Sequence, residues 1–277
     1  MELNYNSAAE LRAFLEQNGL GMRKKYGQNF LINPMVRQKL ADALEAEAGA
    51  EVWEIGPGLG AMTALLLEKG LVVQAFEIDP GFVRILNELF GEKKNFHLVE
   101  GDAMKTWPSR PAVPYLLGNL PYNIAAALMA DFIEQGRLFT RMVVTVQREV
   151  GLRMAALPGS ADYSSFSVLC ASVYKVKPLM VIRSASFYPR PRVDSQGVLL
   201  EKRDHIDPYP ALFYPLLRQL FASRRKMIKN NLARFTGSQE LAAGALSQCG
   251  IKGEERAENL GPEAFAALAK ALENMRI

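Results

Sequence analysis

The sequence predicts an α/β protein whose larger part is built on a mainly parallel sheet and whose last part is all helical. Three observations carry that expectation. Strand-like apolar runs alternate with helical patterns over roughly the first 200 residues, as parallel strands joined by right-handed crossover helices require. One of those strands runs directly into Gly56-Pro57-Gly58-Leu59-Gly60 before a helix begins. Beyond about residue 210 every periodic segment has helical spacing. A chain of 277 residues has room for one large α/β domain and a small partner.

Taken in order, Ser7-Ala8-Ala9-Glu10 fits a capping box opening a short amphipathic helix that carries Leu11, Phe14 and Leu15. Gly19-Leu20-Gly21 closes it, and residues 23–31 follow as a basic, then polar-aromatic segment of little regular character. Asn33-Pro34, a cap and a first-turn proline, starts a helix expected to reach about residue 48. Strands are expected at 52–55, 72–76, 96–99 and 142–146, with a further one opening at Tyr115. Helices should follow at 61–69, after Pro80, and near 124–134. Residues 163–174 read as a helix, 177–182 as a strand, 186–195 as a proline-stiffened loop and 198–200 as a last strand. Residues 204–210 are polar and proline-containing, hence a linker, and helices are expected at 212–221, 226–235, 239–247 and 262–275. The division is therefore 1–24 as an extension, 25–203 as the α/β domain and 204–277 as the helical domain.

Composition narrows the function classes. Residues 1–100 carry 10 Lys/Arg against 14 Asp/Glu, residues 101–200 carry 11 against 6, and residues 201–277 carry 12 against 9. A polyanion should therefore contact the later two thirds of the chain. Cys170 and Cys249 are far apart in apolar settings and make no disulfide framework or metal pattern, which suits a reducing cytoplasm. Two histidines, His97 and His205, argue against a Ser-His-Asp hydrolase or a histidine-ligated metal, so no metal is expected. No apolar run is long enough to span a bilayer, and the polar N-terminus has no signal-peptide core.

In parallel α/β sheets, ligands gather at the carboxyl ends of the strands. Four polar clusters sit there: 56–60, 77–79, 101–102 and 119–122. A strand, a Gly-x-Gly-x-Gly turn and a helix, with Glu77 placed 21 residues after Gly56, form a nucleotide-binding arrangement in which Glu77 accepts both ribose hydroxyls. Dinucleotide enzymes share that outline. Glycine spacing unlike that of a pyrophosphate turn and Asp102 one strand later favour S-adenosylmethionine over NAD, and Glu54 before the turn also suits a sulfonium cation. Asp102, one strand later, is placed to bind an adenine amino group.

Asn119-Leu120-Pro121-Tyr122 ends a buried strand in a stiff loop. Taken alone, such a tetrapeptide is a strand-ending turn with an asparagine cap. Beside a methyl donor it acquires chemistry, because the Asn119 side-chain oxygen and the Leu120 carbonyl are two acceptors next to the flat ring of Tyr122. Such a site fits the amino group of an extruded adenine, whose N6 lone pair is a poor nucleophile until the acceptors favour a pyramidal nitrogen.

With these residues in view, the chain resembles the small-subunit ribosomal RNA adenine N6-dimethyltransferases, whose relatives include the Erm-type large-subunit enzymes and mitochondrial transcription-factor-B proteins. The resemblance runs from about Lys25 to the C-terminus. It covers Gly27-Gln28-Asn29-Phe30-Leu31, Glu54 to Gly60, Glu77-Ile78-Asp79, Gly101-Asp102-Ala103 and Gly118 to Ile124. It continues through Gln147-Arg148-Glu149-Val150 and Phe187-x-Pro-x-Pro-x-Val193-Asp194-Ser195. The one departure is Tyr163-Ser164-Ser165, where the family commonly has Tyr-Gly.

The resemblance implies a class I methyltransferase fold with a seven-stranded Rossmann-like sheet and a helical C-terminal domain. It implies transfer of two methyl groups to each of two adjacent adenosines near the 3′ end of small-subunit 16S rRNA, during ribosome biogenesis. Gln28, Asn29, Leu31, Gly56, Gly58, Glu77, Ile78, Asp102, Ala103 and Asn119 are then expected to line the cofactor site. Asn119, Leu120 and Tyr122 are expected to hold the base, with Phe187 as a second ring opposite Tyr122.

Between Arg218 and Arg234 the chain has six basic residues and no acid: Arg218, Arg224, Arg225, Lys226, Lys229 and Arg234. The missing acids favour phosphate contact over a salt-bridged helix face. Arg23, Lys24, Lys25, Arg190 and Arg192 flank the expected catalytic mouth. The partner is then small-subunit rRNA on a pre-30S particle, met by a cytoplasmic monomer. An Erm-type enzyme, a non-catalytic assembly factor that keeps the fold and a DNA adenine methyltransferase are the rivals. The Arg224-Arg225-Lys226-x-Ile228-x-Asn230 segment favours the small-subunit group, and the intact glycine turn and Asn119 loop argue against the non-catalytic reading.

Overall fold

The computed structural model describes residues 3–21, 27–206 and 208–275. Helix α1 (Ala8–Gln17) is capped by the Ser7 side chain and precedes a two-residue strand, β1 (Phe30–Leu31). Helix α2 (Pro34–Asp42) opens on the Asn33 cap expected from the sequence. Then come β2 (Glu51–Ile55), α3 (Ala61–Glu68), β3 (Val72–Glu77), α4 (Pro80–Phe90), β4 (Phe96–Glu100), α5 (Ala103–Thr106) and β5 (Tyr115–Asn119). Helix α6 (Ala125–Glu134), strand β6 (Arg141–Gln147) and helices α7 (Arg148–Ala155) and α8 (Ser165–Val173) lead to β7 (Tyr174–Ile182), β8 (Phe187–Tyr188) and β9 (Ser195–Lys202). Helices α9 (Phe213–Phe221), α10 (Ile228–Thr236), α11 (Gln239–Gln248) and α12 (Pro262–Asn274) complete the chain.

Seven strands form one sheet in the order β4-β3-β2-β5-β6-β9-β7. The five from β4 to β6 are parallel, and β9 returns antiparallel to β6. The chain order leaves β2 toward β3 on one side and resumes at β5 on the other, which opens a crevice at the carboxyl ends of β2 and β5. There Ile55 lies beside Gly118, so the glycine turn and the Asn119 loop leave the sheet as neighbours.

Both faces of the sheet are buried, as parallel strands require. On one face Val52, Val73, Leu117, Val143 and Leu199 pack with Leu40 and Leu44, which follow the Asn33 cap, and with Leu66 of α3. Filling such positions contributes about 1.5–3 kcal/mol for each fully buried Leu, Val or Phe. On the other face the Trp53 ring meets Phe76 at 4.9 Å and Phe139 at 5.4 Å, with the Arg137 guanidinium 5.2 Å over it.

The chain falls into two compact units. One is Met1–Phe132, Arg137–Gly151 and Val176–Lys202; the other is Ile133–Gly136, Leu152–Lys175 and Arg203–Ile277. Relative to a linear division after residue 203, α8 and its flanks lie in the second unit. Within that unit the Tyr163 hydroxyl donates to the Leu260 carbonyl at 2.7 Å, and Tyr209 stacks on Phe213 at 4.3 Å.

Several boundaries differ from the sequence expectation. Helix α2 stops at Asp42 instead of about residue 48, with Glu45 in the left-handed region (φ 48°). The chain must turn there so that the Gly49 N–H can donate to the Gly70 carbonyl and Val72 to the Ala50 carbonyl, both at 2.9 Å, setting β2 beside β3. Tertiary pairing overrides the helix propensity of the Ala- and Glu-rich segment. The last two sheet strands run longer than expected, and α7 starts directly at the end of β6. Residues 27–31 and 186–195, read as irregular, carry β1 and β8, which pair antiparallel with Leu31 opposite Phe187.

Candidate active site

A single cleft collects the strand-end clusters. It is lined by residues 27–31, 54–58, 76–78, 101–103 and 119–124, with Ala61, Met62 and Phe82. All ten residues expected around a cofactor lie on it, as do Leu120 and Tyr122. Gly56 (φ 69°) and Gly58 (φ 59°) sit in the left-handed region where a side chain is strained. A Cβ at Gly58 would also come within 2.9 Å of the Phe30 ring. At these two positions the turn therefore presents bare backbone to the cleft.

Glu77 ends β3 and is buried. Its Oε2 accepts from the Gly58 N–H at 3.1 Å and its Oε1 from the Asp79 N–H at 2.9 Å. Burial nevertheless pushes its carboxyl up to about 7, since desolvation outweighs the backbone donors of Asp79, Gly58 and Ile78. Each oxygen keeps a lone pair for a further donor. Next to it Ile78 is 38% exposed, an apolar platform at the cleft wall. Asp102 caps α5, with Oδ1 accepting from the Met104 N–H at 3.0 Å.

Glu54 is the deeper carboxyl. The Thr63 hydroxyl donates to it at 2.6 Å, yet burial drives it up to about 8, with the nearby Glu77 adding to the effect. A cationic ligand at this end of the cleft would stabilise the ionised form.

On the opposite wall Asn119 Nδ2 donates to the Asn29 carbonyl at 2.8 Å. That bond fixes which end of the amide is which, and no donor among the described residues reaches Oδ1. The Leu120 N–H donates to the Thr145 carbonyl at 3.0 Å, anchoring the loop on β6. Tyr122 is half-buried; its phenol, pushed up by burial, shares a 2.6 Å hydrogen bond with the Ser195 hydroxyl. Gln28, one residue before Asn29, donates to Asp79 at 3.0 Å. Residues 28 and 29 thus tie the Glu77 side of the cleft to the Asn119 side.

Phe187 departs from expectation. It is 3% exposed and packs in the main core with Leu31 and Ile182, so it does not line the cleft. It lies directly opposite Leu31 in the β1–β8 pair.

The basic segment also needs correction. Acids absent from the linear run arrive from elsewhere in the second unit: Glu134 pairs with Arg218 at 3.2 Å, Glu258 with Arg224 at 3.2 Å and Glu254 with Lys229 at 3.0 Å. Arg225, Lys226 and Arg234 are exposed and lie outside those pairs. In the first unit Arg190 and Arg192 are exposed, and Arg190 Nε donates to the Ser184 hydroxyl at 2.9 Å. Arg23, Lys24 and Lys25 lie outside the described residues.

Phe30 and Phe82 are cleft residues that sequence reasoning left without a role. Phe82 sits three residues after Asp79, on the first turn of α4, and that spacing was the available signal. The N-terminal segment, which carried no motif, backs both rings: Leu11, Phe14 and Leu15 of α1 pack with Phe30, Leu59 and Phe82. The buried Arg37 guanidinium holds the same segment, donating to the Leu31 carbonyl at 2.6 Å and to the Tyr5 carbonyl at 3.4 Å.

Among the described residues no group of three or more His, Cys, Asp or Glu side chains is arranged to hold a metal. No helix among them is long and apolar enough to cross a membrane.

Comparison with known proteins agrees with this geometry. A ribosomal RNA small subunit methyltransferase A from Treponema denticola is 44% identical over 96% of this chain and 94% of its own length. The crystal structure of a dimethyladenosine transferase from Plasmodium falciparum superposes with a TM-score of 0.75 at 25% identity, covering 88% of this chain and 98% of that one. The 23S rRNA methyltransferase ErmE shares the fold with a TM-score of 0.66 at 23% identity, covering 88% of this chain and 99% of its own. The family model for ribosomal RNA adenine dimethylases matches residues 19–274. With a family model that spans nearly the whole chain and a relative this similar, the chain belongs to the ribosomal RNA adenine dimethylase family.

Proposed function

We propose that this protein uses S-adenosylmethionine to dimethylate N6 of two adjacent adenosines near the 3′ end of small-subunit rRNA. In this reading it acts as a cytoplasmic monomer on an assembling small subunit. The observation that carries the proposal is the orientation of Asn119. Its amide nitrogen is committed to the Asn29 carbonyl, which leaves the oxygen of this cleft-lining residue as an acceptor.

The residues fit the cofactor. Glu77 offers lone pairs to two vicinal hydroxyls, Ile78 and Asp102 suit the face and the amino edge of an adenine, and Glu54 suits the positive end. When bound, S-adenosylmethionine supplies an electrophilic methyl group. The chain supplies the rest. Asn119 Oδ1 and the Leu120 carbonyl accept the two N6 hydrogens of the target adenine, drawing the nitrogen lone pair out of conjugation. They also stabilise the positive charge that grows on nitrogen as it is alkylated, until the N6 proton is lost to solvent; in the second transfer one N–H remains for the two acceptors to share. Tyr122 stacks on the extruded base, worth about 1–3 kcal/mol by analogy with single-strand sites. No side chain with a tuned basicity is needed to remove a proton before attack.

Arg190 and Arg192 in the first unit and Arg225, Lys226 and Arg234 in the second are exposed cations able to meet phosphates. Arg218, Arg224 and Lys229 reach RNA only by exchanging their carboxylate partners, which lowers their expected share of the affinity.

The test is methyl incorporation into separated ribosomal subunits from cells lacking the modification, with dimethyladenosine scored by mass spectrometry. Label confined to the small subunit is expected. Label in the large subunit would transfer the chain to the Erm-type activity, and no label in either would leave an assembly factor.

A further inference from the structure

Ser195 closes the Val193-Asp194-Ser195 motif and has no part in the chemistry above. Its hydroxyl lies 2.6 Å from the phenol oxygen of Tyr122. Ser195 is fully buried at the start of β9, where it pairs with Gln147 of β6. The preceding residue is tied down twice: Asp194 Oδ1 accepts from the Ser184 N–H at 2.8 Å, and its carbonyl accepts from the Arg148 N–H at 3.1 Å. The Ser195 hydroxyl is therefore a fixed point on the sheet.

Tyr122 is held differently. Its loop is stiffened by Pro121, whose carbonyl accepts from the Ile124 and Ala125 N–H groups at 3.1 Å. That restrains the backbone but leaves the ring two side-chain torsions to settle in a half-open cleft. A bond at the phenol oxygen fixes the line from Cα to oxygen, and so χ1. Because a phenol's hydrogen and its preferred acceptor direction both lie near the ring plane, the same bond restrains χ2 whichever hydroxyl donates. A ring held at both ends presents one face to the cleft before any base arrives. A ring released at its far end spends part of its time elsewhere, and turnover falls with the competent fraction.

We propose that Ser195 is a positioning residue for methyl transfer, pinning the Tyr122 ring in the orientation that stacks on the target adenine. This rests on the stacking role proposed for Tyr122. The serine touches neither the cofactor nor the reacting nitrogen, and its hydroxyl forms no covalent bond in the reaction.

The experiment is single-turnover methylation of small-subunit RNA at saturating cofactor, with cofactor affinity measured separately by calorimetry. The variants are Ser195→Ala, Tyr122→Phe, their combination and Tyr122→Leu. Each of the first two removes one hydroxyl of the pair and should slow transfer about 3- to 10-fold, the equivalent of one hydrogen bond, with cofactor affinity unchanged. The combination should be no slower than either alone. A Ser195→Ala loss that keeps its full size in the Tyr122→Phe background overturns the proposal, and so does wild-type transfer in both single variants. If Ser195→Ala does not fold, Tyr122→Phe decides alone, because it breaks the same bond from the cleft side. Tyr122→Leu separates the two readings. Normal transfer there removes the stacking role itself, whereas loss there with normal Ser195→Ala and Tyr122→Phe removes only the positioning by Ser195.

Discussion

The side-chain amide of Asn119 donates to the backbone carbonyl of Asn29 across 2.8 Å, joining segments 90 residues apart. An amide can satisfy this bond and still offer an acceptor to the cleft. A carboxylate cannot, because its oxygens would face the carbonyl oxygen. Asn119→Asp should therefore fail although it keeps two acceptors. Turnover is expected to fall about 100- to 1000-fold for Asn119→Asp and for Asn119→Ala, the scale set by removing one preorganised polar group at a reacting centre. Calorimetric cofactor binding should survive in part for Asn119→Ala. Near-normal transfer by Asn119→Asp would mean that the Asn29 contact does not orient the acceptor.

Glu77 links cofactor affinity to pH. Its carboxyl is raised to about 7 in the folded protein, and ribose hydroxyls donate only to lone pairs that the ionised form offers best. Affinity for S-adenosylmethionine should therefore climb as pH rises from 6 to 8 and level off above that. Glu77→Gln should bind more weakly at pH 8 and show a shallower pH dependence, keeping only the part that Glu54, raised to about 8, contributes. Calorimetry at four or five pH values checks both, and a wild-type curve flat across this range would place the hydroxyls elsewhere.

Glu54 makes a stability prediction of definite sign. Its carboxyl sits at about 8 when folded against an ordinary 4.5. Between those values the native state holds a proton that the unfolded chain releases, so stability from this group is full below 4.5 and drains as pH rises through 8. The drain is at most about 1.4 kcal/mol per pH unit. Glu54→Gln keeps a polar partner for the Thr63 hydroxyl and removes the titration. Its melting temperature should gain on wild type as pH rises from 6 to 9. A constant gap across that range would contradict the raised carboxyl.

RNA affinity should respond unequally to charge removal. Arg225→Ala with Lys226→Ala should lower the slope of log affinity against log salt by about 1–2, because each exposed cation that meets a phosphate releases one counterion. Arg218→Ala should change it less, its guanidinium already being paired with Glu134. Filter binding over a salt series measures both. Equal slopes for the double variant and wild type would remove this patch from the footprint.

Much of the site was legible because strand ends and glycine turns are local signals. Glu77 and Asn119 end strands, Gly56 and Asp102 follow strand ends by one and two residues, and parallel topology sends all four to one edge. What escaped depends on partners far away in sequence. The β1–β8 pairing joins two-residue strands separated by some 150 positions, too short to show a period, and Phe187 on the second of them is buried in the core. Likewise Glu134, Glu254 and Glu258 reach the basic segment only through the fold, so its apparent lack of acids was a property of the linear run. Helix α1 has an ordinary amphipathic pattern, and nothing in it announces that Leu11, Phe14 and Leu15 back the rings of Phe30 and Phe82.

The central claim is that one cleft holds a methyl donor by Glu77 and directs it at the acceptor of Asn119. A crystal structure with S-adenosylhomocysteine tests this most directly. The account predicts both ribose hydroxyls on the Glu77 carboxylate and the sulfur turned toward Asn119 Oδ1. A ligand seated away from Glu77, or a sulfur directed away from the Asn119 loop, would contradict it.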